Sequence, residues 1–140
     1  MTAGSGKRDR QQRRARAGSY DIPYSAPVVT TTSPDGAFDL AARLRDSGAK
    51  MYGAFWCTHC FEQKEVFGRE AQAALPYVEC YPDGYKGAAS ISQLCVDADI
   101  QGFPTWVIGG QKVEGDWPLA ALEDALAGVD QKTLAKRYPF

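Results

Sequence analysis

Histidine is nearly missing from this chain and cysteine is sparse: its 140 residues include one histidine and four cysteines. With a single histidine, a zinc site of the usual cysteine/histidine kind would have to draw on the cysteines. Four cysteines are too few for the disulfide-dense class of small secreted scaffolds. Long apolar runs are missing as well. The longest, around Met51–Trp56, falls far short of the roughly 18 residues that span a bilayer. No apolar stretch of about 7–15 residues follows the N-terminal basic residues, so a secretory leader is not expected. Net charge is almost absent at −1, which by itself points to neither a nucleic-acid binder nor an acidic tail protein. No internal repeat is present. What remains is the profile of one ordinary globular domain, 44% hydrophobic and 24% charged.

The charge balance conceals a split. Residues 1–18 carry Lys7, Arg8, Arg10, Arg13, Arg14 and Arg16 against Asp9, a net of +5, and the remaining residues sum to −6. The arm lacks aliphatic periodicity and is expected to be disordered. Its Arg-rich, acid-poor composition leaves an organelle transit peptide open, although the arm is also poor in serine. Residues 19–33, with two prolines and a threonine run, read as an extended linker.

Folded structure is expected from Ser33-Pro34, with Ser33 as helix cap and Pro34 at the first helical position. Phe38, Leu40, Ala41 and Leu44 give the helix its stripe, and Gly48 ends it. Lys50–Trp56 reads as an aromatic-rich strand, and Cys57 to about Leu75 as a helix stopped by Pro76. Tyr77–Cys80 reads as a short strand closed by Pro82-Asp83-Gly84. A helix over Ala88–Ala98 carries Ile91, Leu94 and Cys95. Thr105–Ile108, Gly109-Gly110 and Gln111–Gly115 form a hairpin, and Pro118–Ala127 is the last helix, ended by Gly128. The order α-β-α-β-α-β-β-α implies a mixed central sheet flanked by helices.

Chemistry concentrates at Trp56-Cys57-Thr58-His59-Cys60, where a strand passes into a helix. A helix N-terminus offers unpaired N–H groups and partial positive charge, which favours a thiolate at Cys57. The two-residue spacing lets Cys60 attack a mixed disulfide on Cys57 without backbone movement. His59 adds a donor or a positive charge beside the same sulfur. Downstream, Gly102-Phe103-Pro104-Thr105 precedes the hairpin. For Cys80 and Cys95, two readings stand: buried thiols acting as small hydrophobes, or partners brought together by a strand end and the following helix. A bridge between them would close a loop worth up to about 3 kcal/mol in the chain-entropy model.

A strand–C-x-x-C–helix unit followed by G-F-P-T resembles the thioredoxin superfamily, implying an α/β thioredoxin fold with a cis Pro104 against the active-site cysteines. An extended substrate would then pair with the Phe103 backbone. The match is closer still to one family. KMYGAFWCTHCFEQKEVFG, YVECYPDGY, a cysteine in the next helix and IQGFPTW resemble the thioredoxin-like domain of the plant and cyanobacterial vitamin K epoxide reductase homologues. That resemblance covers roughly residues 33–128. In that family a four-helix membrane domain passes electrons to a quinone, while the soluble domain oxidises protein thiols in the thylakoid lumen or periplasm. This chain carries no such membrane domain and is expected to work either as a separate partner or as a fragment.

The resemblance implies a protein thiol–disulfide oxidoreductase. Cys57 and Cys60 are its catalytic pair, and His59 and Thr58 tune them. Trp56, Phe103 and Pro104 shape the substrate groove. Cys80 and Cys95 form a second disulfide, which exchange with the first would make redox-active. No bound cofactor, metal or nucleic acid is expected; the partners implied are protein thiols and a membrane quinone reductase domain. Residues 1–32 are assigned to the basic arm and linker, 33–130 to the thioredoxin-like domain, and 131–140 to a C-terminal tail. Ordinary thioredoxins have Gly-Pro between the cysteines and a buried Asp where this chain has Met51. Thr-His resembles the dipeptides of oxidising members, so a potential above thioredoxin's is expected. Without the Asp, Glu62, Lys64 and water stand as candidate partners for Cys60. Two other function classes fit parts of the pattern: a non-catalytic partner-binding module that uses the Pro104 groove, and a zinc-binding domain.

Overall fold

A computed structural model describes residues 21–139; the basic arm lies outside the described residues. Four strands form one mixed sheet among the described residues: β1 (Lys50–Gly53), β2 (Tyr77–Glu79), β3 (Thr105–Ile108) and β4 (Gln111–Glu114), in the order β2-β1-β3-β4. β1 and β2 run parallel, with Met51 opposite Tyr77, and β1 pairs antiparallel with β3, with Met51 opposite Trp106. β3 and β4 close the sheet as an antiparallel hairpin turning at Gly109-Gly110. The helices are α1 (Ala37–Asp46), α2 (Thr58–Ala71), α3 (Gln93–Asp97), α4 (Leu119–Leu126) and α5 (Gln131–Arg137). A mixed sheet flanked by helices, with the cysteine pair at the β1–α2 junction, is the thioredoxin fold.

The core follows from the apolar spacing. Ala37, Leu40, Ala41 and Leu44 bury one face of α1, the i, i+3, i+4, i+7 pattern of an amphipathic helix. They pack with Met51, Phe67, Trp106, Ile108, Val113 and Trp117 in the larger cluster. A smaller cluster gathers Ala54, Cys80, Tyr81 and Cys95, with Cys57 and Phe103 packed against it. It is this cluster that braces the site.

Several elements differ from the sequence expectation. Helix α1 starts after Gly36, and Ser33 does not cap it; the Ser33 hydroxyl accepts the Ala71 N–H at 2.9 Å, at the far end of α2. Phe38, expected on the buried stripe, is 55% exposed. The strand from Lys50 ends at Gly53, because Ala54–Trp56 turn to deliver Cys57 to the helix. The expected helix from Cys57 to Leu75 is broken at Gly68, and Gln72–Ala74 form a separate 3-10 turn. The span Ala88–Ala98 likewise divides into a 3-10 turn over Ala88–Ser90 and α3, which Ser92 caps.

The flanks are more ordered than composition implied. Residues 21–32 lie on the domain: Ile22 and Tyr85 exchange backbone hydrogen bonds of 2.7 and 2.8 Å, and Val29 is buried. Thr31 Oγ1 donates to the Glu65 carbonyl at 2.6 Å. Residues 131–137, read as tail, form α5. Asp130 caps it by accepting the Thr133 N–H, Leu134 is fully buried, and Tyr138 donates its hydroxyl to Asp124. A single apolar anchor leaves too weak a periodicity to read from sequence.

Candidate active site

β1 ends beneath the site, and the turn Ala54–Trp56 lifts the chain into α2. The Cys57 N–H donates to the Ala54 carbonyl at 3.0 Å, and Cys57 itself occupies the extended N-cap position of α2. Its carbonyl accepts the Phe61 N–H, the first helical bond. Cys57 therefore stands at the positive end of a helix whose first amides have no intrahelical acceptors. The Cys57 side chain is half-buried, and its Sγ lies 3.7 Å from the Phe103 carbonyl oxygen. Phe103 and Pro104 are joined by a cis peptide bond. The two segments singled out in the sequence, 100 to 105 and 56 to 60, thus meet at one sulfur.

Cys60 lies one turn below and is 2% exposed. Both residues of the pair are thiols in this structure. Burial pushes the Cys60 thiol well above its ordinary range, and a backbone hydrogen bond from Ala54 and the charge of Lys64 oppose that shift. The asymmetry of an accessible and a buried sulfur is what a stepwise exchange requires: one meets the partner, the other acts from within.

Trp56 forms a wall beside Cys57. Its ring is 5.5 Å from Tyr81, 5.5 Å from Tyr85 and 5.9 Å from Phe103, and it remains 39% exposed. Tilted and edge-to-face contacts of this kind hold an aromatic side chain in place without covering it. Beneath the wall, Cys80 and Cys95 are joined in a disulfide and fully buried. Since both sulfurs are spent in that bridge, a zinc site built from all four cysteines does not form. Trp106 and Trp117 are both core residues.

Thr58 opens α2 between the wall and His59. The His59 Nδ1 lies 3.1 Å from Glu62 Oε1 and 3.3 Å from Asp116 Oδ1. Its contacts are thus to carboxylates, one of them from the loop after β4. The donor atoms of His59, Glu62 and Asp116 all lie within 4.8 Å of one another, a spacing that a divalent ion could bridge, though His59 and Glu62 are exposed. A shallow cavity of about 260 Å³ is lined by His59, Phe103, Glu114, Gly115 and Asp116. Asp116 was missed because the loop after β4 carries no motif.

Behind Cys60, a second group of side chains escaped the sequence reading except for Lys64. Burial pushes the Lys64 ammonium below its ordinary range, while the negative charge of Glu79 and of Cys60 opposes the shift. Its Nζ sits 3.7 Å from the Tyr77 ring centroid, and the Tyr77 hydroxyl donates to Glu79 Oε1 at 2.8 Å. Glu79 Oε2 accepts the Phe55 and Tyr81 N–H groups at 3.1 and 3.0 Å. Among the described residues no helix is long and apolar enough to cross a membrane.

No family model matches the chain. It is 50% identical over 110 residues to the thiol-disulfide oxidoreductase LTO1 of Arabidopsis thaliana, an alignment that covers 79% of this chain and 29% of that protein. The chain therefore spans under a third of the length of this curated relative, and over that span it is similar to a thiol-disulfide oxidoreductase.

Proposed function

We propose that the protein is a thiol–disulfide oxidoreductase that forms or exchanges disulfides in protein substrates through Cys57 and Cys60. The observation that carries this reading is the pairing of a half-buried Cys57 at the α2 N-cap, 3.7 Å from the Phe103 carbonyl, with a Cys60 that is 2% exposed. Cys57 is the sulfur that meets substrate: nucleophile when reduced, point of attack when oxidised. Cys60 resolves the mixed disulfide. Pro104 and Phe103 present an extended backbone edge for the substrate, with Trp56 as its side wall. Thr58 and His59 tune the pair from the first turn of α2. The Arabidopsis relative is itself named a thiol-disulfide oxidoreductase, in agreement with this activity.

The finer reading rests on the sequence resemblance. The electron acceptor is a membrane quinone reductase domain of the vitamin K epoxide reductase type, reached by cysteine exchange. The setting is an oxidising compartment, the thylakoid lumen in a plant-like cell or the periplasm in a bacterium. The folded unit takes its redox equivalents from disulfides alone. The buried Cys80–Cys95 bridge braces the aromatic wall; a part in electron transfer would require it to open.

Trapping tests the activity. Cys60→Ser should accumulate mixed disulfides on Cys57 with a reduced, unfolded protein substrate, visible by non-reducing electrophoresis and reversed by dithiothreitol. A Cys57 that forms no adduct while the fold is intact points instead to a partner-binding module.

A further inference from the structure

Exchange at Cys57 places a negative charge on Cys60 in one direction and consumes it in the other. When a substrate thiolate attacks Cys57 Sγ of the enzyme disulfide, the new S–S bond forms as the Cys57–Cys60 bond breaks. The electron pair leaves on Cys60 Sγ. In reverse, the Cys60 thiolate attacks Cys57 Sγ and the substrate sulfur departs as a thiolate, which takes up a proton from solvent. Either way a thiolate must exist at a sulfur that is 2% exposed. An isolated charge at such depth is costly without a partner.

Lys64 follows Cys60 by one helical turn, at i+4 on the same face of α2. Its ammonium rests on the Tyr77 ring, a cation–π contact that holds the charge in a partly dry site. Tyr77 is fixed in turn by Glu79, whose carboxylate is pinned by two backbone N–H groups. Gly53 lets this group close on the sulfur: a Cβ there would come within 2.7 Å of the Tyr77 ring and 3.0 Å of Cys60 Sγ. The charged and titratable groups around Lys64 are Cys60 on its own helix, with Cys57 beyond it, and Tyr77 and Glu79 on β2. Tyr24, from the segment before α1, faces Tyr77.

Resting on the oxidoreductase reading, we propose that Lys64 is the positioning charge for Cys60: docked on Tyr77 and anchored through Glu79, its ammonium stabilises the Cys60 thiolate during exchange.

The reduced chain can be tested with 5,5′-dithiobis(2-nitrobenzoate). Attack by Cys57 releases one thionitrobenzoate, and attack by Cys60 on the resulting mixed disulfide releases the second, so the two cysteines report separately. Lys64→Met should slow the second phase about ten-fold at pH 7, a change of about 1.4 kcal/mol in the barrier, and move its pH midpoint upward. The first phase should stay within about two-fold. Lys64→Arg, which keeps the charge, should restore most of the second phase. A Lys64→Met pH profile that superimposes on the wild type overturns the proposal while leaving the activity intact. A wild-type chain that shows no second phase overturns the oxidoreductase reading itself. A measurement free of substitution is the Lys64 Cε resonance. It should titrate differently in the dithiol and disulfide forms, and identical curves in the two would also overturn the proposal.

Discussion

Gln63 and Trp117 exchange two hydrogen bonds in the interior: Gln63 Nε2 donates to the Trp117 carbonyl, and the Trp117 N–H donates to Gln63 Oε1, both at 2.9 Å. The same Oε1 accepts the Trp106 indole N–H at 3.1 Å. A fully buried amide on α2 thus ties the helix that carries Cys57 and Cys60 to β3 and to the loop that leads into α4. Replacing Gln63 by Leu keeps the volume but removes three bonds from a dry site. The expected loss is about 2–4 kcal/mol of unfolding free energy, read from urea melts. Cys57 reactivity should rise or fall with the fold and not before it.

Cys80 and Cys95 are 15 residues apart in sequence and wholly buried. Opening their bridge frees a loop of that length in the unfolded chain, a change of about 3 kcal/mol. The double variant Cys80→Ala/Cys95→Ala should therefore melt at markedly lower urea. Because Tyr81 and Phe103 rest on the same cluster, Trp56 fluorescence should shift as well. Mixed-disulfide trapping on Cys57 should persist where the protein remains folded. Loss of all trapping in a folded double variant would assign the bridge a direct part in exchange.

The parts of this fold that were legible in sequence are those fixed by neighbours. The strand-to-helix passage at Cys57, the Gly109-Gly110 hairpin and the α1 stripe of Leu40, Ala41 and Leu44 depend on local propensity and period. What could not be read depends on chain segments far apart. Ser33 has the chemistry of a helix cap, yet its hydroxyl is taken by Ala71, 38 residues away. The linker threonines look like coil until Glu65 on α2 supplies acceptors for Thr30 and Thr31. In the site, the two sulfurs and Pro104 were legible because motif and spacing carry them. Asp116, Gln63, Tyr77 and Glu79 were not, because only the tertiary fold brings them to α2.

Gly68 interrupts α2 with φ +88°, and a Cβ there would collide with the Ser33 backbone. The break is what lets the segment entering α1 cross the helix. Any side chain at this position meets both the left-handed backbone penalty and main-chain atoms that cannot rotate away. Gly68→Ala should lower stability by about 2–4 kcal/mol, and hydrogen exchange should show faster opening of residues 30–33. Equal stability and unchanged exchange would mean that the crossing relaxes freely.

Burial of Cys60 also links stability to pH. Its thiol is pushed up in the folded chain, whereas in the unfolded chain it titrates at about 8.5. Below that value both states hold the proton, and the stabilising contribution is fully present. As pH rises past about 8.5 the unfolded chain releases the proton and the folded chain keeps it, so stability falls, approaching about 1.4 kcal/mol per pH unit. The reduced protein should therefore lose urea resistance between pH 8 and 10, roughly that window, relative to Cys60→Ala measured in the same reductant. The neighbouring Lys64, displaced downward by burial, gives a slope of the opposite sign; its titration responds to the Cys60 charge, so the comparison is repeated in the Lys64→Met background, where that slope is absent from both proteins. Parallel stability curves for the two proteins would show that Cys60 titrates alike in the folded and unfolded chains.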